Sequence, residues 1–386
     1  MFTKIENFFD GLFNAVEPIP AGVYKYQASQ DATLPYKLHL RVETDSTGIL
    51  IINASTVLHL NRTAVEYAYY FIDGINKEDI PPLVASRYDV SVGQSKRDME
   101  EFLSKVDTLI HTEDLDPVTY LEMDRVAPYS QKISAPYRLD CALTYRVSAG
   151  MDTKTAPTER VDRELSTEEW KQVLTLALEV GIPHVIFTGG EPTLRDDLPD
   201  LIAAAEDLGI VCGLLTDGLK FNDKKYMNKL LQKGLDHIMF LCQADNKVFW
   251  KALKNLMSED IAVTVHLTLN NDNQKDVPAL LEKLANENVT SVSLSADSSN
   301  LADALASASQ KASDLNLRQV WDLPVPYSAF HPVAVELESG AEPTSKGAGK
   351  AWLYVEPDGD VLPAQGINEV LGNILTDPWK KIWKHH

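Results

Sequence analysis

The stretch VIFTGGEPTLRDDLPDLIAAAEDLG, residues 185–209, combines a strand, a turn and a helix in one unit. Residues 184–190 form an apolar run, in which Gly189 and Gly190 let the backbone turn sharply and approach a ligand closely. The same strand–helix order recurs from residue 134 with a period of about 25–30 residues, which implies a parallel sheet. The sequence therefore predicts an α/β fold with a full or partial β/α (TIM-like) barrel over residues 134–335.

Seven strands are predicted in this region. They cover 137–146, 184–190, 210–218, 236–244, 261–269 and 289–296, with a weaker seventh over 317–323. A β/α barrel carries its functional site at the carboxyl ends of its strands. The polar residues at those ends are therefore site candidates: Thr144, Thr188, Thr216, Gln243, Thr268 and Ser295.

The strand IAVTVHLTL, residues 261–269, alternates aliphatic and polar side chains. Its aliphatic face suits the helix layer, so Thr264, His266 and Thr268 are predicted to line the barrel. His266 then points into the interior, either as a catalytic residue or as a structural histidine with satisfied hydrogen bonds.

Two further units precede the barrel. Residues 1–21 contain an amphipathic helix, which we expect to pack against the body of the protein. Residues 22–114 carry strand-like runs at 22–26, 37–43 and 48–53, followed by three short helices, an α+β winged-helix arrangement. Because this unit is acidic and offers no row of arginines, peptide binding at a sheet edge is expected rather than DNA binding.

Residues 336–386 form a tail of a different kind. The segment AWLYVEPDGDVLPAQG, residues 351–366, predicts a hairpin with its turn at Pro357-Asp358-Gly359, and a short helix follows. The final two residues are histidines, and the sequence does not show whether they are native.

Charge and cysteine content limit the possible functions. The 386-residue chain has a net charge of −20, which disfavours nucleic-acid partners and anionic membranes. No transmembrane run or signal peptide is recognisable, so a cytoplasmic location is expected. The three cysteines, Cys141, Cys212 and Cys242, lie in apolar runs and are predicted to be core residues rather than metal ligands.

Several segments together resemble the radical S-adenosylmethionine (SAM) enzymes. They are LDCALTYR at 139–146, LSTEEW at 165–170, the stretch 185–209 and LLTDG at 214–218. The tail from 354 to 383 is similar to the SPASM extension of that family, and residues 22–114 resemble PqqD-like peptide-recognition domains. The resemblance covers nearly the whole chain and implies a partial barrel with a SPASM-like hairpin extension.

The cysteines that define this family are missing. Its C-x3-C-x2-C motif follows a TYR-like strand end, and here those positions hold Val147, Met151 and Lys154. In the tail, Lys346 and Ala364 stand at cysteine positions. Iron–sulfur clusters need thiolates, so the resemblance implies a relative without a cluster.

The resemblance also implies a SAM site. Its positions here are Thr188, Gly189, Gly190, Glu191, Pro192 and Thr216. Asp217 departs from the family pattern, which has an amide there. With His266, Glu191 and Asp217 are the catalytic candidates; the two acids either form a carboxylate pair, which Lys154 could neutralise, or belong to solvated turns. Without iron, SAM binding remains open, since GGEP could serve only as a turn.

These features predict a cluster-less pseudoenzyme in peptide or cofactor maturation. It would bind a peptide through residues 22–114, as a scaffold beside a catalytically intact radical SAM partner. The alternative is an enzyme that uses the barrel mouth for acid–base or non-radical SAM chemistry. A cluster held by the three remaining cysteines is the third possibility. The peptide's identity and the oligomeric state are not encoded in recognisable motifs.

Overall fold

The computed structural model of the protein describes residues 18–29, 35–112, 120, 133–149, 161–320 and 347–384. The chain separates into two compact units, Met1–Ser134 and Ala135–His386. Several predictions lie outside the described residues. They concern most of the N-terminal helix, the tail before residue 347, and the side chains of Met151, Lys154 and Lys346.

The first unit contains an antiparallel sheet and three helices. The strands follow the order β1 (Gly22–Gln27), β2 (Lys37–Val42), β3 (Gly48–Ile52) and β4 (Thr56–Leu60). The helices are α1 (Arg62–Ile72), α2 (Ile80–Arg87) and α3 (Val92–His111). Leu38, Leu40 and Val42 of β2 form the core of this unit together with Val65 of α1 and Val106 of α3.

The prediction of three strands in this unit is wrong, because β4 is a fourth. Asn53 and Ala54, in the turn between β3 and β4, have positive φ angles of 49° and 56°. Glycine or asparagine is the usual residue in that conformation. Because alanine is not typical of such a turn, the sequence does not indicate a hairpin at this point.

The second unit is built on parallel strands, as predicted. They are β5 (Arg138–Thr144), β6 (His184–Gly189), β7 (Val211–Thr216), β8 (His237–Leu241), β9 (Ala262–Leu269), β10 (Ser291–Ala296) and β11 (Arg318–Gln319). The intervening helices are α4 (Thr167–Val180), α5 (Leu198–Asp207), α6 (Lys224–Gln232), α7 (Lys247–Leu256), α8 (Val277–Asn286) and α9 (Ala302–Asp314). Ser166 and Glu169 form the capping box that begins α4, and Gly181 ends that helix.

Ring contacts identify which face of this sheet meets the helices. The ring of Phe240 in β8 lies 4.7 Å from that of Phe249 in α7. Alternate residues of a strand point to opposite faces, so Met239 faces the barrel interior. Thr264 of β9 lies directly opposite Met239 in the parallel register, and His266 follows it on the same face. The polar face of β9 therefore lines the interior, as the alternation predicts.

The tail extends the same sheet beyond β5. Strand β12 (Trp352–Val355) pairs in parallel with β5, and β13 (Asp360–Leu362) and β14 (Gly372–Asn373) continue the sheet antiparallel. Gly359 has a φ of 94° in the predicted turn. A short helix, α10 (Trp379–Ile382), closes the described tail. Among the described residues, no helix has the length and apolar character needed to span a bilayer.

Candidate functional site at the mouth of the barrel

The double glycine after β6 lies against the backbone that leaves β5. The N–H of Gly190 donates to the carbonyl of Thr144 at 2.7 Å, and the N–H of Glu191 donates to the carbonyl of Arg146 at 2.8 Å. A Cβ on Gly189 would lie 2.2 Å from the Thr144 oxygen, and one on Gly190 would lie 2.1 Å from the Arg146 oxygen. Close packing of the chain against itself therefore requires both glycines.

Glu191 connects this turn to the end of β7. Its Oε1 accepts hydrogen bonds from the Thr193 N–H at 2.9 Å and the Thr216 hydroxyl at 2.7 Å. Its Oε2 accepts from the N–H of Asp217 at 2.7 Å. Glu191 also caps the short 3-10 helix that begins at Pro192. Four of the predicted site residues thus meet at one carboxylate: Glu191 itself, Pro192, Thr216 and Asp217.

Glu191 and Asp217 are each only 2% exposed, so the expectation of solvated turns is wrong. Burial, followed by the nearby charge of Asp217, raises the pKa of Glu191 to about 7. The Oδ1 of Asp217 accepts from the Leu219 N–H at 3.0 Å, whereas its Oδ2 is buried and has no hydrogen-bond partner among the described residues. Glu191 therefore changes charge near neutral pH beside a second carboxylate.

Other buried polar atoms in this region also lack hydrogen-bond partners within the part of the chain that the structure describes. They are the Thr188 and Thr193 hydroxyls and the phenol of Tyr226. Burial, together with the charges of Glu191 and Asp196, raises the pKa of Tyr226. These hydroxyls can donate or accept hydrogen bonds, and Asp217 Oδ2 can pair with a cation. The mouth thus has polar atoms with which to hold a small polar ligand if it opens.

His266 belongs to a different group of residues. Its Nδ1 lies 3.1 Å from the Ser293 hydroxyl, and its Nε2 lies 2.9 Å from that of Ser295 and 3.2 Å from that of Thr268. No hydrogen bond joins it to Glu191 or Asp217 within the described part of the chain. This histidine lies at the centre of a hydroxyl network between β9 and β10.

Val147, at the first family cysteine position, makes apolar contacts. Together with Val161 it packs against a buried cluster that contains Tyr145 of the barrel and Tyr354 of the tail. The hydroxyl of Tyr145 donates to Glu356 Oε1 at 2.9 Å, which also connects the barrel to the tail. Val147 thus packs between two elements of the fold.

The two ends of the following loop are joined by polar contacts. Glu164 accepts a hydrogen bond from the Thr144 hydroxyl and pairs with Arg146 at 3.4 Å and with Arg195 at 3.6 Å. Arg195 also donates to the carbonyl of Leu165 at 3.0 Å. The sequence does not predict roles for Glu164 or Arg195. No sequence motif marks Glu164 as a functional residue. The only indication at Arg195 is the pair of acids that follows it, Asp196 and Asp197.

An iron–sulfur cluster needs cysteine thiolates, and the three cysteines of the chain are not placed to supply them together. Cys141 and Cys212 are buried on β5 and β7, with β6 between them, and Cys242 is half-buried after β8. Burial raises the pKa of the Cys141 thiol, and it raises that of Cys242 to about 12, which disfavours thiolates. The described residues contain no group of three histidine, cysteine or acidic side chains that could hold a metal ion.

A second polar group, not predicted from the sequence, lies at the amino ends of the strands. The Nε2 atoms of His184 and His237 are 2.8 Å apart. Gly213, on the strand between them, makes this possible, because a Cβ there would lie 2.2 Å from the His237 ring. Arg138 binds Asp140 with two hydrogen bonds of 2.7 and 3.0 Å. Burial and the charge of Arg138 lower the pKa of His237 to about 4, so this ring is neutral at pH 7.

Comparison with known proteins supports the predicted fold. Residues 141–284 match the model of the radical SAM superfamily. The predicted α/β fold with a partial β/α barrel is confirmed.

Particular relatives extend this similarity to most of the chain. A PqqA peptide cyclase of Streptomyces rochei is 27% identical over 289 residues, which cover 65% of this chain and 76% of the relative. A PqqA peptide cyclase of Granulibacter bethesdensis is 30% identical over 167 residues, covering 39% and 44%. The crystal structure of Streptococcus suis SuiB bound to S-adenosylmethionine matches with a TM-score of 0.58 and 16% identity, over 93% of this chain and 88% of SuiB. SuiB has also been crystallised with its precursor peptide SuiA.

Proposed function

We propose that the protein is a peptide-binding relative of the radical SAM peptide-modifying enzymes that assembles no iron–sulfur cluster. It acts as a scaffold beside a catalytically intact partner. The observation that carries this proposal is the contact of Val147 with the apolar cluster around Tyr145 and Tyr354. A side chain without a donor atom fills the first ligand position, and the segment 147–163 contains no cysteine at all.

Peptide binding is supported by the relatives, which include two PqqA peptide cyclases and SuiB with its precursor peptide. The first unit offers a site for it at the edge of its sheet. Strand β4 pairs with β3 on one side, and no strand in the described chain pairs with its other side. An extended peptide can add to such an edge through main-chain hydrogen bonds. We therefore place the peptide along residues 56–60, in the unit that resembles PqqD.

SAM is the proposed ligand of the barrel mouth, supported by the fold shared with SAM-bound SuiB. Without iron to chelate its amino and carboxylate groups, affinity would depend on side chains such as Asp217, Thr188 and Thr193. Their unpartnered atoms are buried, so the mouth must open to admit the ligand. We expect weak binding, with a Kd of roughly 0.1–1 mM.

A second candidate function is acid–base catalysis at the mouth, and the near-neutral pKa of Glu191 favours it. Both oxygens of Glu191 already accept hydrogen bonds from the chain, so a substrate would have to displace one of them. The E191Q variant separates the two functions. A scaffold retains its peptide affinity in this variant, whereas an acid–base enzyme loses turnover.

Anaerobic reconstitution with iron and sulfide tests the absence of a cluster. We expect the wild-type chain to retain no stoichiometric iron. The matched variant carries cysteine at Val147, Met151 and Lys154, and we expect it to take up about four irons per chain. Wild-type protein with about four irons would refute the proposal. Calorimetry with SAM on the same samples tests the ligand separately.

Hydrogen exchange tests the peptide site. The probes are synthetic precursor peptides of the PqqA and SuiA type, added one at a time to the full chain. We expect one of them to slow amide exchange at residues 56–60 while leaving residues 22–27 unchanged. Protection confined to other segments would place the peptide elsewhere.

A further inference from the structure

Residues 220–254 differ in charge from the rest of the chain. They contain eight lysines, three aspartates and no arginine or glutamate, which gives a net charge of +5 within a chain of −20. All eight lysines are exposed. Seven of them stand on or at the ends of α6 and α7, and we call them the lysine surface: Lys224, Lys225, Lys229, Lys233, Lys247, Lys251 and Lys254.

The two helices of the lysine surface pack on the same short turn. The ring of Phe221, in the 3-10 helix Leu219–Asn222, stacks on Tyr226 of α6 at 6.5 Å. The carbonyl of the same Phe221 accepts a hydrogen bond at 2.9 Å from the side chain of Asn255 in α7. The lysines therefore belong to one region of the outer helix layer rather than to two separate places.

Lys229 and Lys254 stand in the last turns of their helices, where the dipole favours cations, but helix stability does not account for the lysines at the helix starts. Lys224 and Lys225 stand in the first turn of α6, after its capping residue Asp223, and Lys247 stands in the first turn of α7, with no acidic residue in either turn. The positive end of a helix dipole disfavours cations there. Lys225 and Lys229 also share the i,i+4 spacing at which like charges repel, as do Lys247 and Lys251.

Several lysines on other helices of the protein are paired with acids. Lys96 lies 3.8 Å from Glu100, Lys105 lies 2.6 Å from Glu101, and Lys171 lies 2.8 Å from Glu168. By contrast, the ammonium groups of the lysine surface make no ion pair, hydrogen bond or ring contact in the described part of the chain. The repulsion between these lysines is therefore not offset by acids of the chain itself. This indicates that a partner supplies the negative charge that neutralises them.

The geometry points to a short acidic polypeptide segment as that partner. A nucleic acid or an anionic bilayer would extend past the lysine surface and meet the remaining chain, whose net charge is −25. A second copy of the chain also carries a net charge of −20, so the two copies would repel each other outside the lysine surface. A segment of about six extended residues spans roughly 20 Å, slightly more than the length of either helix, so it contacts the lysines alone. Val248, 40% exposed beside Lys247, adds an apolar contact.

Fluorescence anisotropy with labelled hexaglutamate tests this inference on the full chain. The surface variant is K225Q/K229Q/K247Q/K251Q. The matched control, K96Q/K105Q/K171Q/K311Q, makes the same change in charge at ion-paired lysines, among them Lys311, which lies 2.5 Å from Glu282. At about 20 mM salt we expect the wild type and the control to bind alike and the surface variant to bind about tenfold more weakly. Wild-type binding should weaken further at about 200 mM salt.

Three outcomes would overturn the inference. The first is no wild-type binding at low salt, and the second is equal weakening in both variants. The third is tighter binding of a single-stranded oligonucleotide or of phosphatidylserine vesicles than of hexaglutamate. Thermal melting of each variant verifies that it is folded. The test requires neither SAM nor the β4 peptide, so its result is independent of the proposed function.

Discussion

The variant E191Q removes a titrating group from the centre of the barrel mouth. In the wild type, three donors hold the carboxylate: the Thr193 N–H, the Thr216 hydroxyl and the Asp217 N–H. The glutamine carbonyl can keep the first two donors. Its NH2 group then faces the N–H of Asp217, so one buried hydrogen bond is lost, at a cost of about 1–3 kcal/mol.

The pH dependence of this variant follows from the raised pKa of Glu191. Below pH 4.5 the carboxyl is protonated in both the folded and the unfolded chain, so its ionisation does not affect stability. As the pH rises, the unfolded chain ionises first, and the folded state loses stability until the pH passes about 7. The rise from 4.5 to about 7 amounts to about 3 kcal/mol of lost stability above pH 7. Glutamine does not ionise and escapes this loss.

Urea unfolding of both proteins at pH 5 and pH 8 measures the effect. We expect E191Q to be less stable than the wild type at pH 5. Its stability relative to the wild type should then rise by about 2.5 kcal/mol towards pH 8, because the wild type has already lost part of its stability at pH 5. His237, whose pKa is lowered to about 4, titrates in both proteins and cancels in the difference. The exposed variant E101Q, where an ion pair lowers the pKa, should show no such change over this range. A flat difference for E191Q would refute the raised pKa.

Two glycines support further predictions. G190A should lose at least about 3 kcal/mol of unfolding free energy, because its methyl group would meet the Arg146 carbonyl; G93A, in open space on α3, should instead gain about 0.5–1 kcal/mol. G213A should lose about 1–3 kcal/mol and displace the His237 ring, so that the histidine pKa, followed by NMR, moves from about 4 towards 6.5. Unchanged denaturation midpoints in G190A or G213A would contradict these contacts.

The fold of the barrel could be predicted from the sequence, because each strand is an apolar run bounded by a recognisable helix. Glu169 and Gly181 mark the two ends of α4, and the structure confirms both. Strand β4 could not be predicted, because Ala54 occupies a turn position that glycine would normally mark. Local chemistry thus predicts an element only where the residue types agree with the backbone they adopt.

The candidate site was predictable in position but not in its contacts. Motif order places Glu191 and Asp217 at neighbouring strand ends, and the structure brings them together. Their burial depends on packing from distant segments, which spacing along the chain does not encode. The same limit applies to His184 and His237, which meet only because Gly213 lies on the strand between them. The basic helices α6 and α7 were also missed, because the net charge of −20 is a total over the chain and does not show where the charges lie.

Persistence of the GGEP motif is not by itself a sign that a ligand is bound. The Cβ positions of Gly189 and Gly190 are filled by the carbonyls of Thr144 and Arg146, so the fold requires these glycines whether or not SAM binds. Val147 and Asp217 are different, because no close backbone contact in the described chain fixes the residue type at either position. Introducing a thiolate at Val147 or an amide at Asp217 therefore probes function more directly than any change to the glycines.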